Sequence, residues 1–339
     1  MDKILSRTLV YVRFFRLLRG VIMSNIFEGW ESFVSYYSAS HVQAFLRKCY
    51  QKQGFDQPEQ KSFENCYPFI YYIEHGQIYY EQSEAAPLLI KPILSFYGLV
   101  HLIKAAILTV DPNYPETTSV LAHGVSARKR KKQQYSFFND EVKLQKSGLF
   151  PFMAEKMFHM KHLEGEKTIM EDLLKQVPEM EGLFRKMEGG SHFVQIPKQE
   201  KHFIIPPSII KHYHMSDTRF IEFLSTKSFS PLIKAEEPNI SGFHYSHEHI
   251  PDYKPIRFDL VRKTYHFPIS KNTLSSFPEL LIHYLLLYNL SMIARYETEW
   301  WSELIKMMPN NDYPFIKTFL HITSTKGPYL VQQYLQSWT

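Results

Sequence analysis

Tyr97, His101 and Lys104 stand at i, i+4 and i+7 of an otherwise apolar stretch. On a helix this spacing puts a phenol, an imidazole and an ammonium on one face. Such a face suits a small anion, with Lys104 and His101 as donors and Tyr97 as a stacking wall. The alternative is a bundle edge from which Lys104 reaches water along its apolar stem. Further along, His123-Gly124 follows a proline-rich segment. Glycine there admits a left-handed or closely approaching backbone, so His123 is either a ligand contact or a turn residue bonded to a backbone carbonyl. Arg128, Lys129, Arg130, Lys131 and Lys132 then form an unbroken cationic run. It suits the phosphates of RNA or of anionic lipid, or it is a solvated loop. Tyr135, Phe137 and Phe138 follow closely, as stacking partners for bases or as core anchors.

Other polar residues carry less. His244, His247 and His249 with Glu248 form a histidine cluster near His202, His212 and His214, but the spacing matches no established zinc motif. Arg295 closes the uncharged stretch Leu280 to Ala294, where a cation meets a helix C-terminus favourably and Glu297 or Glu299 is expected to pair with it. Trp300 and Trp301 are expected between helices or on a partner surface. No phosphate-binding glycine loop, dinucleotide fingerprint or serine elbow is present. No cofactor and no metal is expected, and a binding protein ranks above an enzyme.

The elements that would position these residues are mainly helical. Ser38 caps a stretch in which Val42, Phe45, Leu46 and Tyr50 recur at helical spacing, and Gly54 ends it. A second helix is predicted from Glu64 to about Glu84, with Gly76 as a weak point. The third, Leu88 to Leu108, is apolar on nearly every side and therefore central, with Pro92 marking its start or a kink. A strand or hairpin is predicted around Tyr135 to Leu144, and helices over Phe150 to Lys161 and Met170 to Met187. Residues 191–275 change character: His192 to Ile196, His202 to Ile205 and Tyr265 to Ile269 have strand composition between many prolines. Helices resume at Phe277 or Pro278 through Arg295, then over Glu297 to Met308, Pro314 to Thr323 and Pro328 to Leu335.

A chain of 339 residues with 44% apolar side chains can build a large core. Its net charge of +5 is too mild to imply nucleic acid by itself. Cys49 and Cys66 alone support neither a disulfide framework nor a four-cysteine zinc site, which fits the cytoplasm. Leu280 to Ala294 falls short of the ~20 residues a bilayer crossing needs, so no transmembrane span is expected. Residues 1–22 stand apart, with Arg7, Arg13, Arg16 and Arg19 among apolar residues. They read as sequence ahead of a true start at Met23, with a membrane-surface helix or a transit-like peptide as alternatives.

The stretch Ser95-Phe96-Tyr97-Gly98-Leu99-Val100-His101-Leu102-Ile103-Lys104-Ala105-Ala106, followed after a short loop by His123-Gly124, resembles the second half of HEPN-type helical bundles. Together with Leu290-Ser291-Met292-Ile293-Ala294-Arg295-Tyr296-Glu297 and Trp300, the chain from about Met23 onward resembles the bacterial YaaC-like family. The resemblance implies a mostly α protein, α+β overall: an N-terminal extension (1–22), a HEPN-like helical region (23–190), a mixed, partly β region (191–275) and C-terminal helices packing back (276–339). It also implies homodimerisation. Active HEPN ribonucleases carry an arginine ahead of the histidine with about four to six residues between the two, but Glu116, Thr117 and Thr118 occupy those positions here. The expected function is therefore non-catalytic binding or regulation of a protein, nucleotide or RNA partner. Tyr97, His101, Lys104, His123, Arg128, Lys129, Arg130 and Arg295 are the candidate contacts. A metal-independent ribonuclease using His123 with Arg128, and a membrane-surface protein anchored by residues 1–22, are the alternatives.

Overall fold

The computed structural model describes residues 27–127, 135–228, 230–235, 242–246, 252–271, 274 and 277–339. The N-terminal extension, the cationic run with Arg128, Lys129 and Arg130, and His247, Glu248 and His249 lie outside the described residues. The protein is mostly α, and α+β overall.

A 3-10 segment, Gly29–Tyr37, leads into α1 (Ala39–Lys52), whose N-cap Ser38 accepts from the His41 amide as its position in sequence predicts. Gly54, at φ 72°, turns the chain toward α2 (Pro58–Ala85). That helix is longer than the apolar pattern indicates, because Pro58 sits comfortably in its first turn. Gly76 is not a weak point but a contact: a Cβ there would meet the Leu102 side chain at 2.6 Å. Its absence lets α2 approach α3 (Lys91–Leu108) closely. Pro92 marks the start of α3, with Leu88 to Ile90 forming a preceding turn. α3 is the one helix among the described residues long and apolar enough to cross a membrane, and about two-thirds of it is buried inside the protein.

The expected strand at Tyr135 to Leu144 narrows to β2 (Glu141–Leu144), the centre of a small antiparallel sheet with β1 (Val125–Ala127) and β3 (Lys167–Ile169). Between these strands lies α4 (Leu149–Phe158). The single helix predicted over Met170 to Met187 is instead α5 (Met170–Leu174), a 3-10 turn at Pro178–Met180 and α6 (Glu181–Glu188). Pro178 lacks the amide that a continuous helix would use there.

Residues 193–268 hold the other two sheets: β4 (Phe193–Ile196), β10 (Thr264–Pro268) and β9 (Arg257–Asp259) in one, and β5 (Lys198–Gln199), β6 (His202–Ile204), β8 (Gly242–Tyr245) and β7 (Leu232–Lys234) in the other. All pairings are antiparallel. Helices α7 (Pro207–His212) and α8 (Asp217–Ser225), unannounced by the strand-like composition, lie here too. Phe203, Tyr213, Phe220, Phe243 and Phe267 form a core separate from that of the helices.

The chain then returns to the helical body. α9 (Glu279–Tyr296) and α11 (Asp312–Gln336) pack against α3, with α10 (Thr298–Met307) between them in sequence. The two helices predicted after Pro314 and Pro328 are one, with Pro328 inside it. Burial of Lys326, Gly327, Pro328 and Val331 outweighs the local preference for a break. One apolar core therefore joins residues 33–184 to residues 277–335. Trp301 lies in it, 1% exposed, with its indole N–H donating to the Leu89 carbonyl at 2.9 Å. Phe137 is fully buried there as well, and Phe138 meets Phe315 edge-on, so these rings anchor the core and do not offer stacking faces to a ligand.

Candidate functional site

α2 and α3 run antiparallel, so their polar rows meet in reverse order: Tyr79 beside Tyr97, His75 beside His101, Tyr72 beside Lys104. Tyr97, His101 and Lys104 do share one half-buried face, as their spacing requires. The His101 ring stacks on Tyr79 with centroids 5.5 Å apart and planes 15° from parallel, and it meets the edge of His75 at 5.2 Å. Its Nδ1 is buried without a hydrogen-bond partner among the described residues. Burial, then Lys104 and His75, depress its pKa to about 4. Lys104 does not simply extend into water; its ammonium lies 5.7 Å from the Tyr72 ring centroid, and burial lowers its pKa.

At the other end of this row the loop after α3 brings in His123. Its backbone carbonyl accepts from the Tyr284 hydroxyl at 2.8 Å and from the Phe150 amide at 3.1 Å. Gly124 holds φ 75°, the left-handed conformation its residue type allows. Fixed in this way, the His123 ring packs edge-on against Phe96 at 5.0 Å, Tyr288 at 5.7 Å and Tyr97 at 6.1 Å. The ring itself makes no hydrogen bond among the described residues. Burial, followed by the charges of Arg295 and Lys104, lowers its pKa.

Arg295 arrives from the last turn of α9. It does not pair with Glu297 or Glu299: no carboxylate lies within 4.0 Å of it among the described residues. Its Nε donates to the Ser291 carbonyl at 3.1 Å, Nη2 to the Ser291 hydroxyl at 3.4 Å and Nη1 to the Tyr97 hydroxyl at 3.4 Å. The last turn of the helix directs Arg295 back over α3, and Glu297 leaves with the chain beyond the helix end.

Three segments far apart in sequence thus place Tyr97, His101, Lys104, His123 and Arg295 on one face. Arg128, Lys129 and Arg130 lie outside the described residues. Tyr72, His75 and Tyr79 complete the face and were not among the candidates from sequence. Their i, i+3 and i+7 spacing on a helix rich in tyrosine was the available signal. The face carries two fixed cations and three imidazoles between tyrosine rings. It can hold an anionic group, stack a flat ring, and accept a proton at His101 or His123. The His202 and His244 rings meet edge-on at 4.8 Å on neighbouring strands. Among the described residues no three His, Cys, Asp or Glu side chains meet in a metal-binding group.

No curated protein and no solved structure matches the chain at a significant level. A protein-family model does match, over residues 34–335, and the match takes in α1 through α11, including Tyr97, His123 and Arg295. The chain belongs to the YaaC-like protein family.

Proposed function

We propose that the face built by α2, α3, the His123 loop and the end of α9 is a non-catalytic binding site for a nucleotide or an RNA segment. One observation carries the reading: Arg295, without a carboxylate partner among the described residues, is aimed by Ser291 at Tyr97, next to the His123 ring. With Nη2 also donating to Met292 Sδ, a guanidinium held this way keeps its charge and one Nη1 N–H for a phosphate, and the adjacent tyrosines give a base something to stack on. A HEPN-like bundle is the fold-level form of this proposal, supported by the antiparallel pair α2 and α3 with a histidine loop directly after it.

Calorimetric titration with adenosine 5′-monophosphate and with a short single-stranded RNA tests it. Arg295→Ala should weaken binding by about thirtyfold, the size of a lost charge-assisted hydrogen bond. Equal affinity of the two proteins would count against the reading. The pH dependence has a definite sign. His123 has a lowered pKa and is neutral near pH 7. An anion favours its protonated form, so affinity for the RNA, whose phosphodiesters keep their charge, should rise as the pH falls below 7, and His123→Ala should flatten that rise.

A second reading has one specific support. Arg295 supplies beside His123 the cation that the residues preceding His123 lack. A metal-independent ribonuclease would then use His123 with Arg295 in place of Arg128. Cleavage of single-stranded RNA that either His123→Ala or Arg295→Ala abolishes would favour it; no cleavage by the wild-type protein leaves binding as the function.

A further inference from the structure

Lys198, in β5 at the second core, has its ammonium beside three aromatic rings. Its Nζ lies 5.2 Å from the Phe203 centroid, 5.5 Å from Tyr265 and 5.9 Å from Tyr253. The rings are set by the fold. Phe203 is the cross-strand partner of Lys198 in the β5–β6 ladder. Tyr265 comes from β10, at 5.0 Å from Phe203. Tyr253 precedes β9 and is tied down through its backbone carbonyl, which accepts from the Tyr245 hydroxyl. Tyr245 itself packs on both Phe203 and Tyr253, at 5.8 and 5.5 Å, as the base of the group.

The chemistry of this enclosure is unusual for a lysine. No carboxylate lies within 4.0 Å of Lys198, and no hydrogen bond to its ammonium occurs, among the described residues. Burial lowers its pKa. A primary ammonium is strongly hydrated, and here rings replace part of its water without giving an ion pair in return. A trimethylammonium group carries the same charge with far weaker hydration, and the faces of aromatic rings attract it without needing a hydrogen-bond acceptor. The box therefore favours a methylated cation over the one that occupies it. Lys198 remains exposed on its outer side, so it can leave without opening the core.

We propose that Phe203, Tyr253 and Tyr265 form a cage for a trimethylammonium group, and that Lys198 fills this cage in the free protein as a built-in competitor. A ligand must displace Lys198, which sets a threshold for binding.

Titration of the full chain with tetramethylammonium, by calorimetry or by aromatic-region NMR, tests the cage. Lys198→Ala should bind it about tenfold more tightly than the wild type, and Lys198→Ala with Tyr253→Ala should lose the gain. Choline and a peptide carrying trimethyl-lysine form the two further arms. Preference for choline assigns a small-molecule source, preference for the peptide a protein tail, and each supports the cage. A single variant that binds no better than the wild type, or a double variant that binds as well as the single one, overturns the proposal. If Lys198→Ala does not fold, the wild type still gives an answer. Saturating tetramethylammonium should free the Lys198 ammonium from the rings and speed its acetylation by an N-hydroxysuccinimide ester, and an unchanged rate refutes the displacement.

Discussion

Lys326→Met will lower the unfolding free energy by about 3–5 kcal/mol at pH 7, the cost of leaving buried charges without their partner. Lys326 is 1% exposed in the middle of α11, with its ammonium 2.9 Å from Glu179 Oε1 and 3.0 Å from Glu279 Oε1. It also donates to the Phe258 carbonyl of β9. Beside this group, the Glu279 amide donates to Asp252, which pairs with Arg257, and the Arg257 guanidinium donates to the Phe277 carbonyl at 2.8 Å. The network therefore ties α9 and α11 to the β9 strand. Methionine matches the stem of lysine in length, so the loss is chiefly electrostatic.

The pH dependence of that loss follows from the partners. Burial alone would raise the Glu279 pKa, but Lys326, His283 and Arg257 bring it down to about 2. Its folded value lies below its unfolded one, so its contribution is present above the usual carboxylate range and fades as the pH falls toward 2. Lys326 is shifted the opposite way: burial works against its charge, yet Glu179 and Glu279 raise its pKa. Its contribution is complete below the ordinary lysine value and disappears at strongly alkaline pH. Glu179, whose pKa burial raises despite Lys326, runs against Glu279 and narrows the acid-side loss. In Lys326→Met the carboxylates lose their cation, and protonating them relieves the strain. The penalty should accordingly shrink between pH 7 and pH 4. Urea denaturation of both proteins across this range measures it, and a penalty independent of pH would refute the electrostatic origin.

Gly124→Ala will cost about 3 kcal/mol, combining the strain of a left-handed β-carbon with overpacking. A Cβ at this position would collide with the Pro151 ring and lie 3.0 Å from the Phe150 amide nitrogen. Gly148, at φ 124°, faces it, so neither backbone can recede without breaking the loop. Because the neighbouring His123 carbonyl is held by Phe150 and Tyr284, the same change should displace the His123 ring and weaken anion binding. His123→Ala gives the complementary result, with binding reduced and a smaller loss of stability, that of the ring's own packing on Phe96, Tyr97 and Tyr288. Denaturation and titration of the two variants separate these effects, and a Gly124→Ala protein as stable as the wild type would show that the loop can relax.

Local chemistry made much of the helical frame legible. The Ser38 cap, the all-round apolarity of α3 and the glycine after His123 each have a short-range cause, and the structure realises each of them. The face formed by Tyr97, His101 and Lys104 follows from helical periodicity alone. What spacing could not convey was pairing between distant segments. Arg295 has glutamates as neighbours in sequence but Tyr97 as its neighbour in space. Gly76 looks like a helix defect until Leu102 occupies the position of its missing β-carbon. Glu179, Glu279 and Lys326 are ordinary charges in sequence, and their burial depends on three elements meeting. Pro328 illustrates the same limit for secondary structure, since tertiary packing carries α11 through it.

The shared core of residues 33–184 and 277–335 also has a consequence for synthesis on the ribosome. The α3 surface that α9 and α11 cover is made long before its cover. During the intervening residues, which build a separate core, a strongly apolar helix must wait without its final partners. A nascent chain arrested before residue 277 should therefore be a good substrate for chaperones that recognise apolar segments, and release from them should coincide with the emergence of the last helices.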